Sequence, residues 1–494
     1  MEDSVKKIAI ATLIIISILL LYFLYYASTV SVILRAVAAI VVLLIDGLII
    51  HSLLKLNGGY GFYMLGSKSG LATISNISKK YGVFWDVMAM WGLTLGFGVL
   101  TYPLVKGKID KRVYVAGLIS LVLIMLFVFP NIGTSLQFIN LPQVQSALAG
   151  SGQAASQGPG LITYVIYAIT ILAGFSGFLI LSLLIGAETI LWSIIQFASS
   201  PSTSAAGAIA NQAGVAPIIP GIDIPLFAGV ISIAVLLIIH EFSHGILAKR
   251  AKVKLKEIGL LVFGFIPIGG YVEPDEKMVE KLDRTKQTKI FSAGVAANFI
   301  ATIVFFLLML AFMMYLFPAM QINYHYNVVV ASTVPNYPAN GVLKSGMKIL
   351  EWNNVSMTNL STQSSVSAAL NAAKATDRPN ATVSIVTNTG SYKFKAIPST
   401  SNSSIGLIGI SIGTEYTPVI NGWYAHAAYF LFTIFALSML LNFFVGILNL
   451  APIPGFDGWR IYGANIKSQK FINFVGALII ILIIVNVLPW FFYI

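Results

Sequence analysis

The chain alternates long apolar runs with short charged or small-residue breaks, and the runs are of membrane-crossing length. A helix needs roughly 20 apolar residues to cross a bilayer. Runs of that order occupy 8–28, 32–54, 84–105, 112–130, 162–198, 225–248, 290–317, 424–448 and 471–493. The pattern predicts a polytopic α-helical membrane protein of about eight to ten spans. The run 162–198 exceeds one crossing and carries Gly174, Gly177 and Gly186, so it is either two helices or one crossing with a surface segment. The first run has no small-residue cleavage site and reads as a retained helix rather than a signal peptide.

The breaks carry the topology. Stretches 131–160 and 199–221 are uncharged and rich in small residues, which predicts loops on the non-cytoplasmic face. Basic segments follow other runs, KGKIDKR at 106–112 and KRAKVKLKE at 249–257, as the positive-inside bias requires at cytoplasmic ends. The block 325–415 changes period. It holds β-forming runs at 327–334, 381–388, 391–398 and 406–413, separated by Gly, Pro, Asn and Ser, and predicts a small β-containing domain inserted between two spans. Sequons at Asn354, Asn359, Asn380 and Asn402 fit an outward-facing position for it.

Composition narrows the class further. Hydrophobic residues make up 57% of the 494 positions and charged residues 10%, with a mean hydropathy of +0.86; soluble domains carry about 25% charged residues. The net charge of +12 sits in segments beside spans, which assigns it to membrane topology and not to nucleic acid. The absence of cysteine excludes disulfides, Cys-ligated zinc and thiol catalysis. A metal here must be held by His, Asp or Glu.

Against that background LLIIHEFSHGILAKR, residues 236–250, places His240, Glu241 and His244 at the end of a hydrocarbon run. On a helix, positions i and i+4 share a face, so both imidazoles can address one metal ion. Glu241, one step round, can act as general base on a water held there. A chance match to H-E-x-x-H is expected in roughly one such chain in a thousand; the alternative is a pair of polar residues where the helix meets headgroups, but ionisable groups within a span are costly and usually functional. His51, His325 and His426 have no partner at ligand spacing. A catalytic zinc site usually takes three protein ligands, and the candidate third is Asp457 in NLAPIPGFDGWR, 449–460. Asp-Gly after Pro-x-Pro-Gly is equally a turn signal, and the residues alone leave ligand and turn even. Arg35, Asp46, Asp86 and Glu188 also lie in apolar runs and read as bundle-facing or boundary charges.

HExxH in a span, followed by Asn-x-x-Pro-x-Pro-x-x-Asp-Gly at the end of a later one, resembles the site-2 protease family of intramembrane zinc metalloproteases. IPIGGYVEP (266–274) is similar to the family's Gly-Gly-Tyr/Phe-Val segment, a membrane-dipping β-hairpin, and FSAGVAANF (291–299) to its small-residue motif with an Asn. Within the insert, the run from Ala339 through Gly346 to Asn354 resembles a PDZ domain. The resemblance covers about 225–465. It implies four parts: N-terminal membrane helices outside the shared core (1–222), a first core half with the HExxH helix and hairpin (223–320), a small α+β PDZ-like extracytoplasmic insert (325–415), and a second core half with the Asp-Gly motif and last span (420–494).

It further implies that His240, His244 and Asp457 are zinc ligands, that Glu241 is the catalytic base, and that Asn298, Asn449, Gly269 and Gly270 meet the substrate. Substrates would be transmembrane proteins in a lipid bilayer, cut near the cytoplasmic side. Two departures stand out: Phe456 replaces the usual Leu before Asp-Gly, and Met347 replaces the Asp of the PDZ Gly-Asp pair. Other classes fit less well. A prenyl-protein (CAAX) protease needs a glutamate ligand on a later helix, but after Glu280 only Glu351 and Glu415 remain. A transporter predicts internal repeats, which the sequence lacks. An inactive peptide-binding scaffold is at odds with an intact Glu241.

Overall fold

Lipid offers no hydrogen-bond partner, so an apolar run in a bilayer satisfies its backbone internally by forming a helix. The computed structural model describes residues 2–26, 32–67, 69–128, 161–199, 220, 224–334, 337–344, 346–399 and 404–493. The loops expected at 131–160 and 199–221, apart from residues 199 and 220, and the sequon Asn402 lie outside the described residues. The long helices are α1 (Glu2–Tyr26), α2 (Val32–Leu54), α3 (Ser69–Phe97), α4 (Lys111–Leu123), α5 (Leu161–Ser199), α6 (Leu226–Arg250) and α7 (Arg284–Ala311). After the insert, whose helix is α8 (Gln363–Lys374), come α9 (Trp423–Leu448), α10 (Asp457–Asn465) and α11 (Gln469–Tyr493). Among the described residues, nine helical segments are long and apolar enough to cross a membrane.

Where the helices stop follows from local chemistry. The Asp110 side chain accepts the N–H groups of Arg112 and Val113 to cap α4, and Asp283 caps α7 by accepting from Lys286 N–H. The run 162–198, labelled α5 as a whole, forms two helical segments that meet at a non-helical Gly174 (φ 63°, ψ −159°), the first of the two expected arrangements. That break lies where α5 crosses the end of α3: Ser176 Oγ donates to the Gly96 carbonyl at 2.8 Å, and a side chain on Gly174 would overlap the Gly96 backbone. Helix α3 starts well before the apolar run at 84. Its first turns carry Lys79 and Lys80 and so lack an apolar signature, yet Ile74 is fully buried with Ile246, Leu247 and Val272.

The first 220 residues are not helices alone. Strands β1 (Asn57–Gly59) and β2 (Phe62–Ser67) form a hairpin between α2 and α3. Strand β2 pairs antiparallel with β3 (Leu255–Phe263), from Phe62 opposite Phe263 to Ser67 opposite Ile258, and β3 pairs with β4 (Ile266–Pro274). The result is one four-stranded sheet, β1–β2–β3–β4, which corrects the expectation of an N-terminal region of membrane helices only. The strands are too short and glycine-rich to announce themselves; pairing of β2 with β3, and of β1 with β2, decides their conformation.

Helix packing in lipid depends on close approach of small residues. Helix α7 lies against α3, α6 and α9, and a methyl on Gly92 of α3 would overlap the Ala296 side chain of α7. In α9, 67% of the spanning window is buried inside the protein, against 6% for α1, so α9 is central and α1 peripheral. At that periphery Asp46 is sequestered from lipid and accepts from Ser17 Oγ at 2.8 Å.

The insert between α7 and α9 is a six-stranded antiparallel sheet with α8 packed on it. The strands are β5 (Asn323–Thr333), β6 (Lys348–Trp352), β7 (Val355–Ser356), β8 (Thr382–Thr387), β9 (Gly390–Lys395) and, after the short pair β10 (Ile397–Pro398) and β11 (Gly406–Leu407), β12 (Ile410–Val419). The order is β12–β5–β6–β8–β9, with β7 on β6. Val328, Ile349, Trp352, Val366 and Ile385 form its own core.

Candidate active site

The site is assembled from α6, α7 and the loop after α9. On α6, His240 and His244 lie one turn apart and point their Nε2 atoms at each other, 3.2 Å apart. Asp457 closes the triangle: Oδ2 is 3.3 Å from His240 Nε2 and Oδ1 3.3 Å from His244 Nε2. All three groups are largely withdrawn from solvent, with side chains 11–17% exposed. Among the described residues this is the cluster able to offer a metal ion three ligand atoms within 4.8 Å of one another.

Asp457 arrives there by backbone chemistry that the motif encodes. Helix α9 ends at Leu448, and the chain turns through Pro452, Pro454 and Gly455, the last at φ 96°. The loop then closes on itself as Gly458 N–H donates to the Asn449 carbonyl at 2.6 Å. A side chain on Gly458 would overlap the carbonyls of Leu450 and Ala451, so the glycine of Asp-Gly is required by close approach. Asp457 occupies the first turn of α10, where the helix dipole favours a carboxylate.

Helix α7 holds the imidazoles from behind. Residues 290, 294 and 298 recur every four positions and so form one stripe. His244 Nδ1 lies 2.7 Å from the Ile290 carbonyl; since a carbonyl can only accept, Nδ1 carries a proton, and in the neutral ring Nε2 keeps its lone pair. His240 Nδ1 lies 3.1 Å from the Asn298 amide nitrogen, while Asn298 Oδ1, also buried, has no partner among the described residues. Turning the amide over pairs Oδ1 with His240 Nδ1–H and leaves that Nε2 a lone pair too. Between them sits Gly294, where a methyl would overlap His240 Cε1 and His244 Nε2.

With both rings neutral, two imidazole lone pairs and a carboxylate face one another, and among the described residues Asp457 Oδ2 has no hydrogen-bond partner. Such a set of acceptors fits a cation, and two His nitrogens with one carboxylate oxygen are a donor set suited to zinc. Around it lies a cavity of about 690 Å³ lined by Glu241, Asn449, Phe456 and Trp459 as well as the cluster.

The remaining expected residues are placed less uniformly. Glu241 lines the cavity beside β4, where a side chain on Gly270 would lie 3.0 Å from Glu241 Cγ. Gly269 lies opposite Leu261 in the β3–β4 ladder and away from the cluster. Asn298 touches His240 directly, and Asn449 reaches the cavity wall through the turn it caps. Sequence reasoning missed Gly294 and the Ile290 carbonyl. The small-residue run FSAGVAANF was the available signal for the first; a backbone carbonyl leaves none.

A profile of peptidase family M50 matches residues 228–483, a span from the start of α6 into α11. An uncharacterized protein of Methanocaldococcus jannaschii is 24% identical over 261 residues, 52% of this chain and 63% of that protein. The chain thus spans less than two thirds of that relative's length. With the family match extending over half of the sequence and enclosing the helix, hairpin and Asp-Gly loop that build the cluster, the chain belongs to peptidase family M50, the site-2 protease family of membrane metalloproteases.

Proposed function

We propose that this protein is a zinc-dependent intramembrane endopeptidase that hydrolyses peptide bonds in or near transmembrane helices of membrane-protein substrates. The observation that carries the reading is the convergence of His240, His244 and Asp457 on one point beside Glu241. His240, His244 and Asp457 are the zinc ligands. The ion, when bound, supplies Lewis-acid chemistry, activating water near neutral pH and polarising a carbonyl. Glu241 takes the proton from the attacking water on a carboxylate oxygen and delivers it to the leaving amine. Asn298 orients His240, as outer partners of metal-bound imidazoles do.

A transmembrane helix hides its carbonyls in its own hydrogen bonds, so the substrate must be unwound before it is cut. Strand β4 is the terminal strand of its sheet and runs beside Glu241; an extended substrate adds to its free edge, in a hairpin that dips into the membrane. Gly269 and Gly270 keep that edge narrow, and Asn449 meets the freed backbone of the substrate in the cavity.

The run of the chain supports a sidedness for the site. Helix α6 leads to the site, α7 leads away and α9 returns, so the insert lies at the opposite end of the bundle. Lys249, Arg250, Lys252, Lys254, Lys277 and Lys281 follow the site end, a basic bias that supports a site near the cytoplasmic face and an insert outside. The insert acts as a PDZ-like module: Ala339 and Leu343 sit in its core, Gly346 takes φ 84°, and Asn353 and Asn354 form the left-handed turn between β6 and β7.

The test uses purified full-length protein and a single-span substrate. Cleavage is expected to vanish with a zinc chelator and to return with stoichiometric zinc; cleavage indifferent to both sinks the reading. In the same preparation, Asn298→Ala is expected to raise the half-saturating zinc concentration about tenfold or more, measured by competition with a chromophoric chelator.

A further inference from the structure

Asp86 lies on α3, outside the residues that match the family, and makes two ion pairs at once. Its Oδ2 is 3.3 Å from Arg250 Nε and its Oδ1 3.2 Å from Lys289 Nζ. Arg250 is the last residue of α6, the helix that carries both histidines. Lys289 immediately precedes Ile290, whose carbonyl holds His244 Nδ1. One carboxylate therefore ties the two helices whose mutual position sets the imidazole geometry.

The contacts beyond Asp86 make this a matter of register. Along α3 and α7 the pairs advance together: Asp86 with Lys289, the Ala89 carbonyl with Ser292 Oγ at 3.3 Å, and Gly92 against Ala296. The face of α7 toward α3 is thus 289, 292 and 296, and the adjacent face, 290, 294 and 298, meets the histidines. A rotation or slide of α7 on α3 moves the second stripe as well. Ala89–Ser292 and Gly92–Ala296 are a weak hydrogen bond and a steric contact, whereas Asp86 supplies the charged contact, and it alone of the three also holds α6. Room for this arrangement comes from Gly82, where a side chain would lie 2.7 Å from Arg250 Cδ.

We propose that Asp86 is a positioning residue for the metal centre, a clamp from the N-terminal helices that sets α6 and α7 so that the Ile290 carbonyl and Asn298 meet the two imidazoles. The proposal rests on the metal centre of the preceding section. Its side chain is 28% exposed, and partly exposed ion pairs add little to global stability, so the consequence is a change of site geometry with the fold intact.

The test is zinc binding by the full-length protein, with cobalt as a spectroscopic stand-in. Asp86→Asn and Lys289→Gln are each expected to raise the half-saturating zinc concentration about tenfold, to alter the visible cobalt bands, and to leave helix content and melting temperature at wild-type values. The double variant is expected to lose no more than Asp86→Asn alone, because that substitution already breaks the Lys289 arm. Wild-type zinc affinity and an unchanged cobalt spectrum in these variants overturn the clamp, as do strictly additive losses. If Asp86→Asn does not fold, Lys289→Gln, which leaves the Arg250 arm in place, decides the matter by the same measurements. Wild-type protein that binds no zinc removes the metal centre itself and the clamp with it, whereas zinc-competent Asp86→Asn at wild-type affinity removes the clamp alone.

Discussion

Glu241→Gln is expected to lower the cleavage rate by about a thousandfold, with zinc bound at wild-type stoichiometry. General acid–base groups contribute about 10² to 10⁴ in rate, and a thousandfold loss corresponds to about 4 kcal/mol of transition-state stabilisation. The two effects separate because of where Glu241 sits. It follows His240 by one residue and so points off the face shared by the two imidazoles. It lines the cavity but is not one of the three groups whose ligand atoms converge. Glutamine keeps the shape and the packing beside Gly270 and loses only the ability to take a proton. Rate and metal content measured on the same sample decide the matter: retained activity removes Glu241 as the base, while lost zinc makes it a ligand instead.

Gly294→Ala is expected to abolish tight zinc binding and, with it, cleavage. A methyl at this position would overlap His240 Cε1 and His244 Nε2 and would lie 2.5 Å from His240 Nε2, where carbon contacts settle near 3.5–4.0 Å. The backbone of α7 cannot yield, because its other face is closed against α3 at Gly92 and Ala296. The imidazole tips must therefore retreat by about 1 Å, a distance that zinc–nitrogen bonds of about 2.0–2.1 Å do not tolerate. Alanine is a better helix former than glycine by roughly 1 kcal/mol, so α7 itself should be no less stable. A normal melting curve with a zinc content near zero is the expected signature, and full zinc content in Gly294→Ala would contradict the close contact.

Much of the architecture was legible in the chain because it is a local property. An apolar run of membrane length must be a helix in lipid, and the runs at 225–248, 290–317 and 424–448 correspond to α6, α7 and α9. The strand-forming runs of the insert likewise reappear as β5, β8, β9 and β12. The relation among His240, Glu241 and His244 is also local, since 3.6 residues per turn place i and i+4 together whatever surrounds them.

The rest was decided by neighbours. Asp457 in its Pro- and Gly-rich turn was equally a turn residue until the Gly458–Asn449 hydrogen bond and the approach to both imidazoles were on the page. Gly294 and Gly92 look alike in sequence, two glycines in apolar helices, yet one meets histidine rings and the other a packed alanine. Strands β1 and β2 carry no periodic signal and take their form from pairing, β1 with β2 and β2 with β3, and Asp86, an isolated charge in an apolar run, acquires Arg250 and Lys289 only when three helices meet. The sequence by itself determined which segments are long and apolar enough to cross a bilayer and which two imidazoles share a face, because the backbone hydrogen-bond ladder and helical pitch act over four residues. Only the tertiary structure decided which carboxylate, carbonyl and glycine complete the site. Contacts between helices in lipid depend on the shape of packed surfaces, and a small residue facing lipid is written with the same letter as one facing a histidine.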